Sequence, residues 1–204
     1  PASAQHGLKD TLKAEGWFLA CRCEPTGELR IELDATAPPT LSARVVDKQR
    51  LSPSVMGLWL ESEQPLKYFA GQYLTLWRDT ATGRSYSLAS LPEEGRLELH
   101  IARIDGGALS PWLHDELHVG DSLNIQGPMG DCFYLPGEPE QPLLLVGTGT
   151  GLAPLYGIVR DALQQGHSGP IHLFHGARTT DYLYYYDVLS TLSAEVEHFH
   201  YHPS

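Results

Sequence analysis

The chain has 204 residues, 42% of them apolar, so it can build one large domain or two modest ones around a real core. Its formal net charge of −11 comes without any basic stripe to displace counterions, which argues against nucleic-acid partners and anionic membranes. Cys21, Cys23 and Cys132 make no disulfide framework, no apolar run approaches the roughly 18–20 residues of a spanning helix, and no signal-like segment opens the chain, so a cytoplasmic location is expected.

Residues 1–34 contain a short helical stretch over 8–15, then Gly16 and an apolar run from Trp17 to Ala20 that leads into Cys21. Small residues and two prolines make 35–42 a linker by composition. The chain opens on Pro1 rather than Met and stops at Ser204 soon after a strand-like run, so both ends are expected to be cut.

From 43 to 137 the texture is strand-rich, with predicted strands at 43–50, 55–62, 72–78, 84–90, 96–104 and 122–126. Leu97, Leu99 and Ile101 alternate with Glu98 and His100, the pattern of a half-buried antiparallel strand with its polar side in water. Six strands with short connections predict a small antiparallel barrel. One helix interrupts them, with Ser110 as the expected N-cap, Pro111 at the first helical position, and Leu109, Leu113 and Leu117 on one face.

From 138 to 204 the pattern alternates. An apolar run from Leu143 to Val146 precedes a helix over 151–165, a strand follows at 171–174, a second helix is expected from a Thr180 cap to about 192, and a third strand over 196–202. That order predicts the beginning of a parallel, doubly wound α/β domain, incomplete at its C-terminus because three strands are few.

Three segments carry candidate chemistry. Gly147-Thr148-Gly149-Thr150-Gly151-Leu152-Ala153-Pro154 follows an apolar strand and opens a helix, where backbone N–H groups and the helix dipole can face a pyrophosphate. Leu152 stands where the third glycine of G-x-G-x-x-G would be, so the ordinary dehydrogenase fingerprint is missing and a plain glycine-rich turn remains open. Arg84-Ser85-Tyr86-Ser87 puts an arginine fork and a tyrosine ring on one strand face and Ser87 on the other, suited to a phosphate and an aromatic ring or to a polar edge strand. Gly106-Gly107-Ala108-Leu109-Ser110-Pro111 is a glycine turn into a helix start, either a second anion site or a simple connection.

In order, Phe69-Ala70-Gly71-Gln72-Tyr73, Arg84-Ser85-Tyr86-Ser87, Gly106-Gly107-x-x-Ser110, Gly127-Pro128-Met129-Gly130, the Gly147–Pro154 run and Gly176-Ala177-Arg178 resemble the ferredoxin–NADP⁺ reductase superfamily over about residues 43–204. The resemblance implies a six-stranded flavin-binding β-barrel followed by an NAD(P)-binding α/β domain. It implies that Arg84 holds a flavin phosphate, that Tyr86 packs on the isoalloxazine or ribityl chain, and that Ser87 offers its hydroxyl near flavin N5, which makes Tyr86 and Ser87 the catalytic candidates. It also implies cofactor contacts from His100 and Ala102 on the following strand, from Gly106, Gly107, Ala108 and Ser110 toward the second phosphate of FAD, and from Gly147, Thr148, Gly149, Thr150, Gly151, Pro154 and Arg178 toward NADH or NADPH.

Residues 16–25, Gly16-Trp17-Phe18-Leu19-Ala20-Cys21-Arg22-Cys23-Glu24-Pro25, resemble the tail of a plant-type 2Fe–2S ferredoxin, in which Cys21 matches the fourth cluster ligand. The resemblance implies a cluster only in the intact protein, since one thiolate cannot hold it; a buried structural cysteine is the alternative. His198, His200 and His202 alternate as if on one strand face but lack a matching carboxylate or cysteine; Tyr182, Tyr184, Tyr185 and Tyr186 read as helix packing, with Tyr182 and Leu183 bordering the cofactor cleft as the alternative; and Asp115-Glu116 reads as a solvated helix face. The expected activity is electron transfer from NADH or NADPH through FAD to an iron–sulfur centre and on to an oxygenase or similar acceptor. The alternatives are a flavin or ferric reductase with a diffusible acceptor, and a non-catalytic flavin-binding module.

Overall fold

A computed structural model describes residues 8–19, 23, 27, 28, 30 and 38–204. Cys21 lies outside the described residues. Near the start, helix α1 (Asp10–Ala14) falls within the stretch expected to be helical, and its flanks touch the body of the protein: Lys9 pairs with Asp131 at 2.6 Å, and Gln72 donates to Glu15 at 3.0 Å.

Strands β1 (Thr40–Arg50), β2 (Val55–Ser62), β3 (Tyr73–Trp77), β4 (Gly83–Ser87), β5 (Leu97–Ala102) and β6 (Ser122–Met129) form one antiparallel sheet in the order β4-β3-β6-β1-β2-β5. A bridge between Leu88 and Leu99 joins its two ends, closing the sheet into the expected barrel and leaving no free edge there. Period-2 alternation fills the interior: Val45, Leu58, Leu60, Leu74, Leu76, Leu99, Ile101 and Ile125 point inward. The barrel end is plugged by helix α2 (Ser110–Asp115), whose region buries Leu109, Leu113 and Leu117 in the same cluster, as their spacing requires.

Two expectations for the barrel need correction. Ser110 is the first helical residue rather than the N-cap; Leu109 holds the cap position, and the Ser110 hydroxyl instead accepts the Ile104 amide at 3.0 Å. Strand β5 is buried on both faces, with Glu98 6% and His100 2% exposed, because its polar side meets the second domain rather than water.

The second domain is a parallel sheet of β7 (Leu143–Thr148), β8 (Ile171–Gly176) and β9 (Phe199–Pro203) in that order, linked by helices α3 (Leu152–Gln164) and α4 (Tyr186–Glu195). Leu152, Val159, Ala162, Ile171, Leu173, Leu189 and Phe199 make its core. On the opposite sheet side Leu144 stays 70% exposed, with Val146 and Phe174, beside a stack of His172, His200 and His202. His198 precedes β9, so the three alternating histidines do not form one strand triad; His172 from the neighbouring strand completes the stack instead. Among the described residues no group of three histidine, cysteine or acidic side chains could hold a metal ion.

The helix expected from Thr180 starts later. Thr180–Tyr182 form a 3₁₀ turn, Tyr185 adopts left-handed backbone (φ 61°, ψ 15°), and α4 begins at Tyr186. Such a conformation is an outlier for a bulky L-residue and costs about 1–3 kcal/mol, so surrounding contacts must hold it. Those contacts lie across the domain boundary. Helix α3 seals the same boundary. Gly157 fits where an added Cβ would come within 3.2 Å of the Ala89 carbonyl, and Arg160 donates to that carbonyl at 2.5 Å and pairs with Glu94.

Candidate functional site

Between the domains runs a cleft of about 740 Å³, at the carboxyl ends of β7 and β8, where open α/β sheets bind ligands. Ala102 and Arg103 at the end of β5 form its barrel side; Thr148, Gly149 and Thr150, Gly176, Ala177 and Arg178, and Tyr182 form its sheet side. The sequence-predicted glycine turn and Arg178 therefore converge on one cavity.

The three glycines of that turn have different reasons. Gly149 has φ +53°, and a Cβ built there or at Gly151 meets nothing within 4 Å, so bare backbone faces open space. A Cβ at Gly147 would come within 2.9 Å of Leu155 and 3.0 Å of the Gly151 carbonyl, so this glycine lets the turn close on α3. Gly149–Gly151 form a 3₁₀ turn and α3 begins at Leu152, with Pro154 in its first turn, where a missing N–H leaves no bond unmade. A helix start and exposed backbone around the cleft fit a dinucleotide pyrophosphate.

On the barrel, β4 pairs with β3 so that Tyr86 lies opposite Leu74 and Arg84 opposite Leu76, while Ser85 and Ser87 face the other way; Thr75 and Ser85 hydrogen-bond at 3.1 Å on that side. Arg84 and Tyr86 thus share a face. Tyr86 is half-buried against the barrel core, and burial pushes its hydroxyl above its ordinary range, with the Arg84 guanidinium pulling the other way. Arg84 is exposed and donates to the Gly83 carbonyl at 2.7 Å, a contact within its own strand end. An exposed guanidinium beside a half-buried ring fits a phosphate-bearing flavin.

The helix start fits less well than the sequence suggests. Gly106 has φ +73° and an open Cβ position, and Ala108 lies in the same turn, but Gly107 donates its amide to the Ile104 carbonyl at 2.9 Å, and Ser110 is 5% exposed with its hydroxyl taken by Ile104. The Ser110 hydroxyl shapes the loop by accepting the Ile104 amide, with the Ile104 carbonyl 3.5 Å from its oxygen.

The His100 ring is held between the domains, with Nε2 2.9 Å from Glu98 Oε1 and Nδ1 3.1 Å from Tyr184 Oη. Tyr185 donates to the same Glu98 oxygen at 2.6 Å, and Tyr184 donates to the Gly149 carbonyl at 3.3 Å. This network, with Glu98, Tyr184 and Tyr185 as members, is what the sequence reading missed. The available signal was two titratable residues at i and i+2 on an otherwise apolar strand, matched by a run of tyrosines that packing alone does not require. Arg103 was missed as well. Asp115, read as solvated, grips its guanidinium through both carboxylate oxygens at 2.7 Å and holds it on the cleft rim.

Burial pushes the Glu98 carboxyl up, but the hydrogen bonds from His100 and Tyr185 and the nearby Arg160 charge outweigh it, leaving the group below its ordinary value of 4.5. A depressed carboxyl stabilises the fold above its ordinary value, and that contribution is lost as pH falls through the lower folded value. We expect the domain boundary to loosen first in acid, with Glu98→Gln flattening the loss of thermal stability below about pH 4.5; an identical acid limb in the variant would contradict this.

A closed antiparallel barrel facing the carboxyl edge of a parallel sheet across a cleft defines a two-domain dinucleotide-cofactor protein. Comparison with known families agrees: residues 42–134 match the oxidoreductase FAD-binding domain and residues 145–203 the oxidoreductase NAD-binding domain. The chain belongs to the ferredoxin–NADP⁺ reductase superfamily. It is 33% identical to the phenol hydroxylase P5 protein of Acinetobacter pittii, over 97% of this chain and 58% of that protein. It is 34% identical to the reductase component of the naphthalene 1,2-dioxygenase system of Pseudomonas putida, over 95% and 60%. The crystal structure of the Amycolatopsis cytochrome P450 reductase GcoB superposes with a TM-score of 0.74 at 36% identity, covering 95% of this chain and 62% of that one. The chain spans about three fifths of the length of these relatives. Among the described residues no helix is long and apolar enough to cross a membrane.

Proposed function

We propose that the intact protein is a cytoplasmic NAD(P)H-dependent flavoprotein reductase that passes electrons from the nicotinamide cofactor through FAD to an iron–sulfur centre and on to an oxygenase or similar protein acceptor. The observation that carries this reading is the cleft in which the bare Gly149 turn faces Ala102 at the end of a flavin-barrel strand. The name of the naphthalene dioxygenase relative, that of a reductase component of an oxygenase system, supports the acceptor class. We read 43–137 as the flavin domain, 138–204 as the nucleotide domain, 35–42 as a linker and 1–34 as the end of a ferredoxin-like domain.

Bound FAD would supply a ring that accepts a hydride and gives up electrons singly. The chain's own residues do the placing. Arg84 would pair with a flavin phosphate through its fork, Tyr86 would cover the ring or ribityl chain, and Ser87, which faces the other side of β4, would bring a hydroxyl near N5 where the strand ends and the chain turns. Gly106 and Ala108 leave a turn open to the second phosphate. Thr148, Gly149, Thr150 and Arg178 hold the nicotinamide dinucleotide, and α3 fixes the two domains so that the reacting rings meet with little freedom. Cys21 is assigned as a cluster ligand, supported by the ferredoxin-like run from Gly16 to Pro25.

Purified intact protein tests the cofactor set. The expected result is about one FAD released per chain, together with iron and acid-labile sulfide that Cys21→Ser removes. A colourless protein without flavin would overturn the reading, and flavin without iron would reduce it to a reductase with another acceptor.

A further inference from the structure

Polar groups buried between two domains need partners, and here they form one continuous chain. It starts at Glu98 on β5, passes through the His100 ring, crosses the domain boundary to Tyr184, and ends on the carbonyl of Gly149 in the cofactor turn. Tyr185 secures the start of this chain by donating to Glu98 from left-handed backbone, so local strain is accepted to place its hydroxyl there. Glu98, His100 and Tyr184 are 6%, 2% and 4% exposed, so water cannot substitute for a lost member. The rings reinforce the contact: Tyr184 and Tyr185 both meet the His100 ring edge-on, at 5.1 and 5.2 Å.

Tyr184 has one hydroxyl proton. With His100 donating from Nε2 to Glu98, its Nδ1 is an acceptor, so that proton is shared between Nδ1 at 3.1 Å and the Gly149 carbonyl at 3.3 Å. The carbonyl it fixes belongs to the residue whose own side-chain position opens into the cleft. At the other end, Ala102 lies two residues beyond His100 on the same strand and forms the opposite cleft wall. The chain of hydrogen bonds therefore ties the two walls of the cleft together from behind.

We propose that Glu98, His100 and Tyr184 form a positioning relay that fixes the cofactor turn against the flavin-barrel strand and so sets the approach of nicotinamide to flavin. This rests on the reductase reading above. None of the three needs to touch either cofactor. Their effect is exerted through the orientation of Gly149 and the register of the two domains. Both donors to Glu98 use Oε1, so a glutamine whose carbonyl takes that place keeps this acceptor, while the charge is lost and the second oxygen becomes an amide nitrogen.

Anaerobic rapid mixing of the full-length flavin-loaded protein with NADH or NADPH provides the test. Tyr184→Phe should keep its flavin and lose about tenfold or more in the limiting rate of flavin reduction at saturating nucleotide, with a smaller change in apparent affinity. Glu98→Leu should be similarly slow, and Glu98→Gln should recover to within about threefold of wild type because the acceptor is retained. If Tyr184→Phe does not fold, His100→Gln, which breaks the relay one step earlier, gives the same reading. A network that merely glues the domains would lower the melting temperature and leave the limiting rate unchanged, and that result overturns the relay while the wild type still reduces its flavin. A wild-type flavin that neither nucleotide reduces overturns the reductase reading, and the relay falls with it.

Discussion

Gly149→Val should raise the KM for NAD(P)H by about one to two orders of magnitude while flavin stays bound. Two effects act in the same direction. Gly149 has φ +53°, a region where a β-branched residue is a genuine outlier, costing roughly 1–2 kcal/mol. The new side chain also projects into the open cleft, where nothing lies within 4 Å of its Cβ and where the dinucleotide is proposed to lie. Each 1.4 kcal/mol is about tenfold in binding, so strain and steric exclusion together reach the expected range. The flavin barrel does not depend on this turn, so the flavin-to-protein ratio should match wild type. Steady-state kinetics on variant and wild type, with flavin content measured on the same samples, checks the expectation; an unchanged KM would remove the turn from the cofactor site.

Arg84→Ala should release flavin without unfolding the barrel. The guanidinium is exposed and, among the described residues, bonds to the carbonyl of the preceding residue alone, so its loss leaves no buried group there unpaired. Toward a phosphate, however, an arginine makes charge-assisted bonds worth roughly 1.5–3 kcal/mol each, so flavin affinity should fall about ten- to a hundredfold or more. Arg84→Lys should fall between, since a point charge replaces a planar fork. Flavin retention after dialysis, set against the melting temperature of the flavin-free protein, separates binding from folding. Full occupancy in Arg84→Ala would refute the phosphate role.

The barrel and the parallel sheet were legible because their signals are local. Alternation in β5, the Leu109–Leu113–Leu117 stripe and the apolar run before Gly147 each report burial on one side of one element. The cleft was legible in part, since a glycine turn after a strand marks the carboxyl edge of a sheet without showing what stands opposite. What escaped was decided by packing between domains. Glu98 and His100 look like a wet strand face until the second domain covers them. Ser110 has the chemistry of an N-cap, yet a tight Ile104–Gly107 turn brings its hydroxyl onto the Ile104 amide first. The tyrosines after Thr180 look helical, but tying Tyr185 to Glu98 delays the helix to Tyr186. Asp115 finds Arg103, a partner twelve residues earlier that no helix periodicity relates to it.

On this reading the glycine turn of the sheet delivers a nicotinamide to a flavin held by the barrel. Anaerobic addition of one equivalent of NADH, and separately of NADPH, to the intact yellow protein tests it most directly, followed by the visible flavin absorbance. Prompt bleaching by at least one of the two nucleotides is expected, with recovery of colour on admission of an electron acceptor. A flavin band that persists under excess of both would contradict it.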